Sequence, residues 1–298
     1  MTQVRYEETQ AVSALNRVRG MGFKWSLNPY QGCVHDCHYC FARRYHYFRD
    51  LSPDKDFSGI VFVKLNIPGL LRRELSRPSW GYETVALGTA TDPYQPIEGK
   101  YRLTRQCLEV FCRKGSPVSL VSKATMMIRD QDLLAELTPR AGCTVCFSIT
   151  TLDDDLWRRL EPGTPPPRKR LEVMERLVSA GVNAGVLLAP IIPGITDSNE
   201  NLTEVVKVAT EHGARFLESN VLNLKEGTKQ HFMGFLEREY PRLARAYRSV
   251  YAGAFAPRYL REGLQTQIAQ LKQLYGLGNR YAEQDVPKRP RQLELSIP

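Results

Sequence analysis

T-V-A-L at residues 84–87, P-V-S-L-V at 117–121, C-T-V-C-F-S-I at 143–149, A-G-V-L-L at 184–188 and R-F-L-E-S-N-V at 215–221 are short apolar runs. Runs of this length with little alternation belong to strands buried on both faces, as in a parallel sheet. Amphipathic stretches of helical spacing accompany them at 102–114, 131–137, 168–180, 199–212 and 228–239. Strand and helix in turn are the pattern of βα units. A further strand near Trp25–Leu27 brings the count to about six units, fewer than the eight of a closed barrel. The expected fold is α/β, a partial (β/α)6 TIM-type barrel with a helical C-terminal extension.

Outward from these runs, residues 1–22 read as an N-terminal extension, 23–240 as the barrel, and 241–298 as a helical extension ending in a flexible basic tail. Residues 50–80 read as an insertion, with the strand-like I-V-F-V-K-L-N at 60–66 and the helix-like G-L-L-R-R-E-L at 69–75. Beyond Pro257 the pattern is helical to about Tyr275 and then rich in proline and charge. No internal repeat and no separate second domain is visible.

With 298 residues, 42% hydrophobic and 24% charged, the chain buries a substantial core without disulfides. It contains no apolar run of the roughly 20 residues that span a bilayer, and residues 1–16 lack the apolar core of a signal peptide. The expected location is the cytoplasm, with no membrane partner. Seven cysteines, an odd number with three of them between positions 33 and 40, point to metal ligation in a reducing compartment rather than to disulfides. A net charge of +9 favours encounters with polyanions such as DNA or RNA, although proteins that bind neither carry similar charge.

N-P-Y-Q-G-C-V-H-D-C-H-Y-C-F-A-R at 28–43 presents Cys33, Cys37 and Cys40 at spacing C-x3-C-x2-C. Three neighbouring thiolates suit an iron-sulfur cluster, and three ligands instead of four leave an open coordination position for chemistry. The competing reading is a Cys3His zinc site with His35 or His38 as fourth ligand, in a zinc-stabilised, non-catalytic nucleic-acid-binding protein. With Tyr39 before the third cysteine, the motif resembles the signature of the radical S-adenosylmethionine superfamily. The longer string, together with G-T-A-T-D-P-Y-Q-P-I-E at 88–98, L-T-R at 103–105 and V-S-K at 121–123, is similar to the subgroup of spore photoproduct lyase and its DNA-repair-photolyase-like relatives. The likeness runs from about Ser13 to Arg238.

The resemblance implies a [4Fe-4S] cluster on Cys33, Cys37 and Cys40, with S-adenosylmethionine (SAM) on the fourth iron. An electron from a donor of flavodoxin or ferredoxin type would cleave SAM to a 5′-deoxyadenosyl radical. The implied activity is that of a lyase-like or oxidoreductase enzyme in DNA repair or modification, with a peptide or small molecule as the other substrate class. It also implies cofactor-binding roles for Tyr39, for Thr91 and Asp92 at the methionine ammonium, and for Lys123 at the methionine carboxylate. Ser148 is a similar candidate, and Gly194 in P-I-I-P-G-I-T-D (190–197) would lie against adenine. Read as residues alone, Asp92-Pro93 also begins a turn, Lys123 also suits a solvated surface, and Ser148 also suits packing.

Arg43, Arg44 and Arg49 interleave with Phe41, Tyr45, Tyr47 and Phe48, a mixture that suits phosphates and exposed bases or, equally, a solvated amphipathic helix. Cys107, Cys112, Cys143 and Cys146 read as packing residues, the last two on opposite faces of one strand. Q-L-E-L at 292–295 resembles the peptide by which repair and replication proteins dock on the sliding clamp, with Ser296 in place of the aromatic. Two positions depart from the subgroup pattern: Thr89 stands where spore photoproduct lyase carries its hydrogen-donor cysteine, and Phe41 where it carries a relay tyrosine. Repair of the thymine spore lesion is therefore not expected.

Overall fold

The computed structural model describes residues 3–279. Its strands are β1 (Arg5–Thr9), β2 (Asn16–Arg17), β3 (Trp25–Leu27), β4 (Tyr30–Gln31), β5 (Ile60–Lys64), β6 (Val85–Leu87), β7 (Val118–Ser122), β8 (Cys143–Ser148), β9 (Asn183–Ile191) and β10 (Leu217–Val221). The main sheet runs β10-β9-β8-β7-β6-β3-β2. From β3 to β10 every neighbouring pair is parallel, and β2 adds antiparallel at the edge. Five of the six parallel strands are those marked by the apolar runs, and the sixth, β3, is the strand expected near Trp25–Leu27. β10 and β2 are the two edges of this sheet, which makes it the expected partial barrel.

All six residues of β8 are buried, because the sheet is covered on both faces. The helices Leu103–Lys114, Gln131–Arg140, Pro167–Ser179 and Asn199–Glu211 follow their strands and bury one stripe each. On Pro167–Ser179 that stripe includes Leu171, Met174 and Leu177, all fully buried, each contributing about 1.5–3 kcal/mol by its removal from water. The last helix, Arg258–Tyr275, lies against β10 and Asn199–Glu211.

A second sheet, β1-β5-β4, joins the N-terminal extension to the insertion: β1 pairs parallel with β5, and β4 antiparallel. Because β4 begins only three residues before Cys33, this small sheet braces the start of the cysteine loop. The short helices Asp56–Gly59, Glu98–Tyr101 and Asp154–Leu160 had no counterpart in the sequence reading, whereas Pro241–Val250 falls in the expected helical extension. Residues 41–49 form a 3-10 helix. Among the described residues no helix is long and apolar enough to cross a membrane. The tail segment 287–298, with its clamp-like peptide, lies outside the described residues.

Candidate active site

The three thiols lie in one loop beyond the carboxyl end of β3, where parallel barrels collect their chemistry. Cys33 and Cys37 are buried, Cys40 is half-buried, and none is in a disulfide. Backbone bonds fix the loop: Cys33 N–H donates to Phe57 O at 3.0 Å, Cys40 N–H to Cys37 O at 3.2 Å and His38 N–H to Leu160 O at 3.1 Å. Two glycines permit the close approach. Gly32, at φ +85°, sits where a Cβ would overlap Ile60 O, and a Cβ on Gly163 would overlap Val34 O. The Gly163 N–H donates to His35 O at 3.1 Å, which locks the loop after β8 onto the cysteine loop.

Arg43 is fully buried inside this loop. Its guanidinium donates to Cys37 O at 3.1 Å, to Asp36 Oδ1 at 2.6 Å and to Pro53 O at 3.2 Å. It is therefore a structural brace, which corrects its place in the basic and aromatic face read from the sequence; Arg44 is half-buried and Arg49 exposed.

Thr91 and Asp92 face the loop from the carboxyl end of β6. Thr91 Oγ1 donates to Gly32 O at 2.7 Å, and Gln95 Nε2 donates to the same carbonyl at 3.1 Å. Asp92 is buried and accepts at both oxygens: from Tyr94 N–H at 2.9 Å and Ser122 Oγ at 2.8 Å on Oδ1, and from Lys123 N–H at 2.7 Å on Oδ2, which also lies 3.3 Å from His35 Nδ1. Burial opposes its charge, but His35 and the two amides outweigh burial and hold the carboxyl below its usual range. Its four acceptor positions are thus engaged within the protein. Burial likewise opposes charge on His35, yet the Cys33 sulfur and Asp92 raise the imidazole to about 10.

Tyr39, Lys123 and Ser148 converge on a second cluster. Lys123 Nζ donates to Ser148 Oγ at 2.5 Å and lies 3.4 Å from Glu161 Oε1, while Ser148 Oγ donates to Ala189 O at 2.9 Å. The Tyr39 hydroxyl donates to Glu161 and lies 3.2 Å from Thr150 Oγ1. Glu161 in turn accepts from the fully buried Arg170 at 2.5 Å. Burial opposes its ionisation, but Arg170 and Lys123 outweigh burial and hold the Glu161 carboxyl down at about 2.

Glu161, Arg170 and Thr150 were not foreseen. The only sequence signal was the Gly/Pro-rich E-P-G-T-P-P-P at 161–167, which reads as a loop and nothing more. Gly194 is not drawn into this cluster. At φ +76° it packs against Leu243, whose Cδ1 would lie 2.8 Å from an added Cβ, and its N–H donates to Asp197 Oδ1 at 2.7 Å. Cys107, Cys143 and Cys146 are fully buried and Cys112 nearly so, as packing residues should be.

The donor set fits an iron-sulfur cluster. Burial, with the Cys33 sulfur next, raises the Cys40 thiol to about 11, and burial with the Glu161 charge raises Cys37 well above its usual range. Buried thiols such as Cys37 and Cys40, which disfavour negative charge, are the setting in which cationic irons displace protons. The competing zinc site would need His35 or His38 as a fourth ligand within about 2.0–2.3 Å of the metal. Both candidate zinc histidines are engaged. His35 faces Asp92, and His38 Nδ1 lies 3.0 Å from His231 Nε2, its ring stacked 4.4 Å from Phe235.

Comparison with known proteins agrees with this geometry. Residues 27–206 match the family model of the Radical SAM superfamily. An uncharacterized protein of Mycobacterium tuberculosis is 38% identical over 278 residues, covering 92% of this chain and 82% of that protein. One from Methanocaldococcus jannaschii is 26% identical over 244 residues, covering 80% and 85%. Among solved structures, spore photoproduct lyase complexed with dinucleoside spore photoproduct superposes with a TM-score of 0.67 at 15% identity, covering 91% of this chain and 79% of the lyase. The chain belongs to the radical S-adenosylmethionine superfamily, whose enzymes work with a [4Fe-4S] cluster and SAM.

Proposed function

We propose that Cys33, Cys37 and Cys40 hold the cluster, that Lys123 and Ser148 receive the methionine end of SAM, and that the substrate is a nucleic acid undergoing repair or modification. When bound, the cluster and SAM supply a one-electron reduction that breaks a sulfonium carbon–sulfur bond and yields a 5′-deoxyadenosyl radical. The chain's own part is binding and orientation. Lys123 lies beside the buried Tyr39–Glu161–Arg170 network, and its ammonium is steered by Ser148 toward the carboxyl ends of β7 and β8. A substrate or cofactor carboxylate there gains a charge-assisted hydrogen bond. Thr91 and Asp92 act at one remove, by holding the cysteine loop and the Lys123 backbone.

The observation that supports a nucleic acid is the helix Phe41–Arg49, which begins one residue after the third cysteine and exposes Phe41, Tyr47 and Phe48 beside Arg49. Exposed rings next to guanidinium groups suit stacked bases and phosphates, and an open barrel leaves room for a base taken out of its stack. Thr89 and Phe41 argue against the spore lesion itself. The test is anaerobic reconstitution with iron and sulfide, followed by a dithionite-driven assay with DNA and RNA oligonucleotides carrying deuterium. Deuterium appearing in 5′-deoxyadenosine supports the reading. SAM cleavage without transfer from either polymer points to a peptide or small molecule instead.

A further inference from the structure

Among the described residues the fully buried arginines are paired, Arg43 with Asp36 and Arg170 with Glu161, and so is the half-buried Arg129, with Glu98 and Asp130. Two cations at the rim of the cysteine loop differ. Arg49, the last residue of the 3-10 helix, donates from Nε to Gln31 Oε1 at 3.0 Å and places its guanidinium 3.9 Å from the centre of the Phe62 ring. Lys64 lies two residues beyond Phe62 on β5, hence on the same face of that strand. It is partly buried, and its Nζ donates to Asn28 O at 3.0 Å, directly after β3.

Among the described residues neither Arg49 nor Lys64 has a carboxylate within 4.0 Å. Burial and, next to it, the Arg49 charge lower the Lys64 ammonium to about 8. Two like charges held together at a partly buried place without a counter-ion cost free energy unless an anion joins them. The place is close to the chemistry, because the side chain of Asn28 donates to Thr89 Oγ1 at 3.2 Å at the carboxyl end of β6. Phe48, adjacent to Arg49, is 76% exposed and stands 6.1 Å from the ring of Tyr45. An anion site beside an exposed ring suits a nucleotide better than a free phosphate.

We propose that Arg49 and Lys64 bind one backbone phosphodiester of a single-stranded nucleic acid and so set its register at the barrel mouth. This rests on the nucleic-acid reading above. Thr89, Asn28 and Lys64 then lie along the path from that phosphate to the cysteine loop, while Phe48 offers a stacking face outside it.

The experiment is fluorescence anisotropy of labelled single-stranded DNA and RNA of one sequence against the reconstituted protein, across a salt series. For R49Q/K64Q the expected result is at least a tenfold loss of affinity at low salt, with a log–log salt slope shallower by about 0.7, the value for one phosphate left unneutralised. Lys64→Arg, which keeps the charge, should retain the wild-type slope and guards against a loss caused by misfolding. R72Q/R73Q removes the same charge from exposed positions on the helix Ile67–Glu74 and should cost little. A comparable loss in R72Q/R73Q, or an unchanged slope in R49Q/K64Q, overturns this site while the nucleic-acid reading stands. Failure of the wild-type protein to bind either polymer at low salt overturns both. The ratio of DNA to RNA affinity then says which polymer supplies the phosphate.

Discussion

At the scale of single residues the site divides between groups that hold and groups that face outward. Asp92, expected at the methionine ammonium, has its acceptors on His35, Ser122 and the amides of Tyr94 and Lys123. Lys123 is the contrasting case, with its ammonium held at Ser148 Oγ and near Glu161 at the strand ends. Lys123→Met should therefore raise the SAM dissociation constant at least tenfold, about 1.4 kcal/mol, while iron content after reconstitution stays at the wild-type level. Calorimetric titration of SAM reads the first and colorimetric iron analysis the second; unaltered SAM affinity would remove Lys123 from the site. Glu161 makes the opposite kind of prediction. It is buried and shared by Tyr39, Lys123 and Arg170, so Glu161→Ala strands a buried guanidinium and should cost about 3–5 kcal/mol in anaerobic urea unfolding. A loss below about 1 kcal/mol would mean that Arg170 finds water or another partner.

Secondary-structure elements were the most legible level, because buried parallel strands and one-sided helices leave periodic traces in the chain. The helix Thr228–Glu239 and the strand Cys143–Ser148 could be placed from such traces alone. The cysteine loop was legible for a different reason, since its three ligands are neighbours in sequence. What escaped notice is made by distant contacts. Tyr39 and Glu161 meet across 122 residues, and neither carries a local pattern that announces the other. The short helix Asp154–Leu160 has only one buried position, Leu160, and so almost no amphipathic signal. Its following turn is nonetheless tightly fitted, because Gly163 lies under Val34 O and His35. Gly163→Ala should push that turn off the cysteine loop, cost about 1–3 kcal/mol by overpacking and lower the iron retained after gel filtration. Full iron retention in this variant would show that the loop after β8 is dispensable for holding the three thiols.

Across the whole molecule, the cysteine loop touches parts of the chain that are remote in sequence. Cys33 is tied to Phe57 in the insertion, His38 to Leu160 after β8, and the Cys40 carbonyl to Thr228 Oγ1 at 3.2 Å on the helix that follows β10. The barrel sheet itself ends at β10 without returning to β3, so the loop links the first and last units from outside the sheet. A ligand that binds the folded loop and not the unfolded chain stabilises the fold by mass action, and thiols raised by burial make that ligand a cation that releases protons as it binds. Removing iron by anaerobic chelation should therefore lower the thermal midpoint of the wild-type protein, by about 2 °C or more for each kcal/mol of stabilisation removed. The triple variant Cys33→Ala, Cys37→Ala, Cys40→Ala should start near the chelated midpoint and show no further drop when the chelator is added. Scanning calorimetry with and without chelator separates the cases. If the wild-type midpoint is indifferent to chelation, the loop is preformed without its irons, and the link between the first and last barrel units rests on the protein contacts alone.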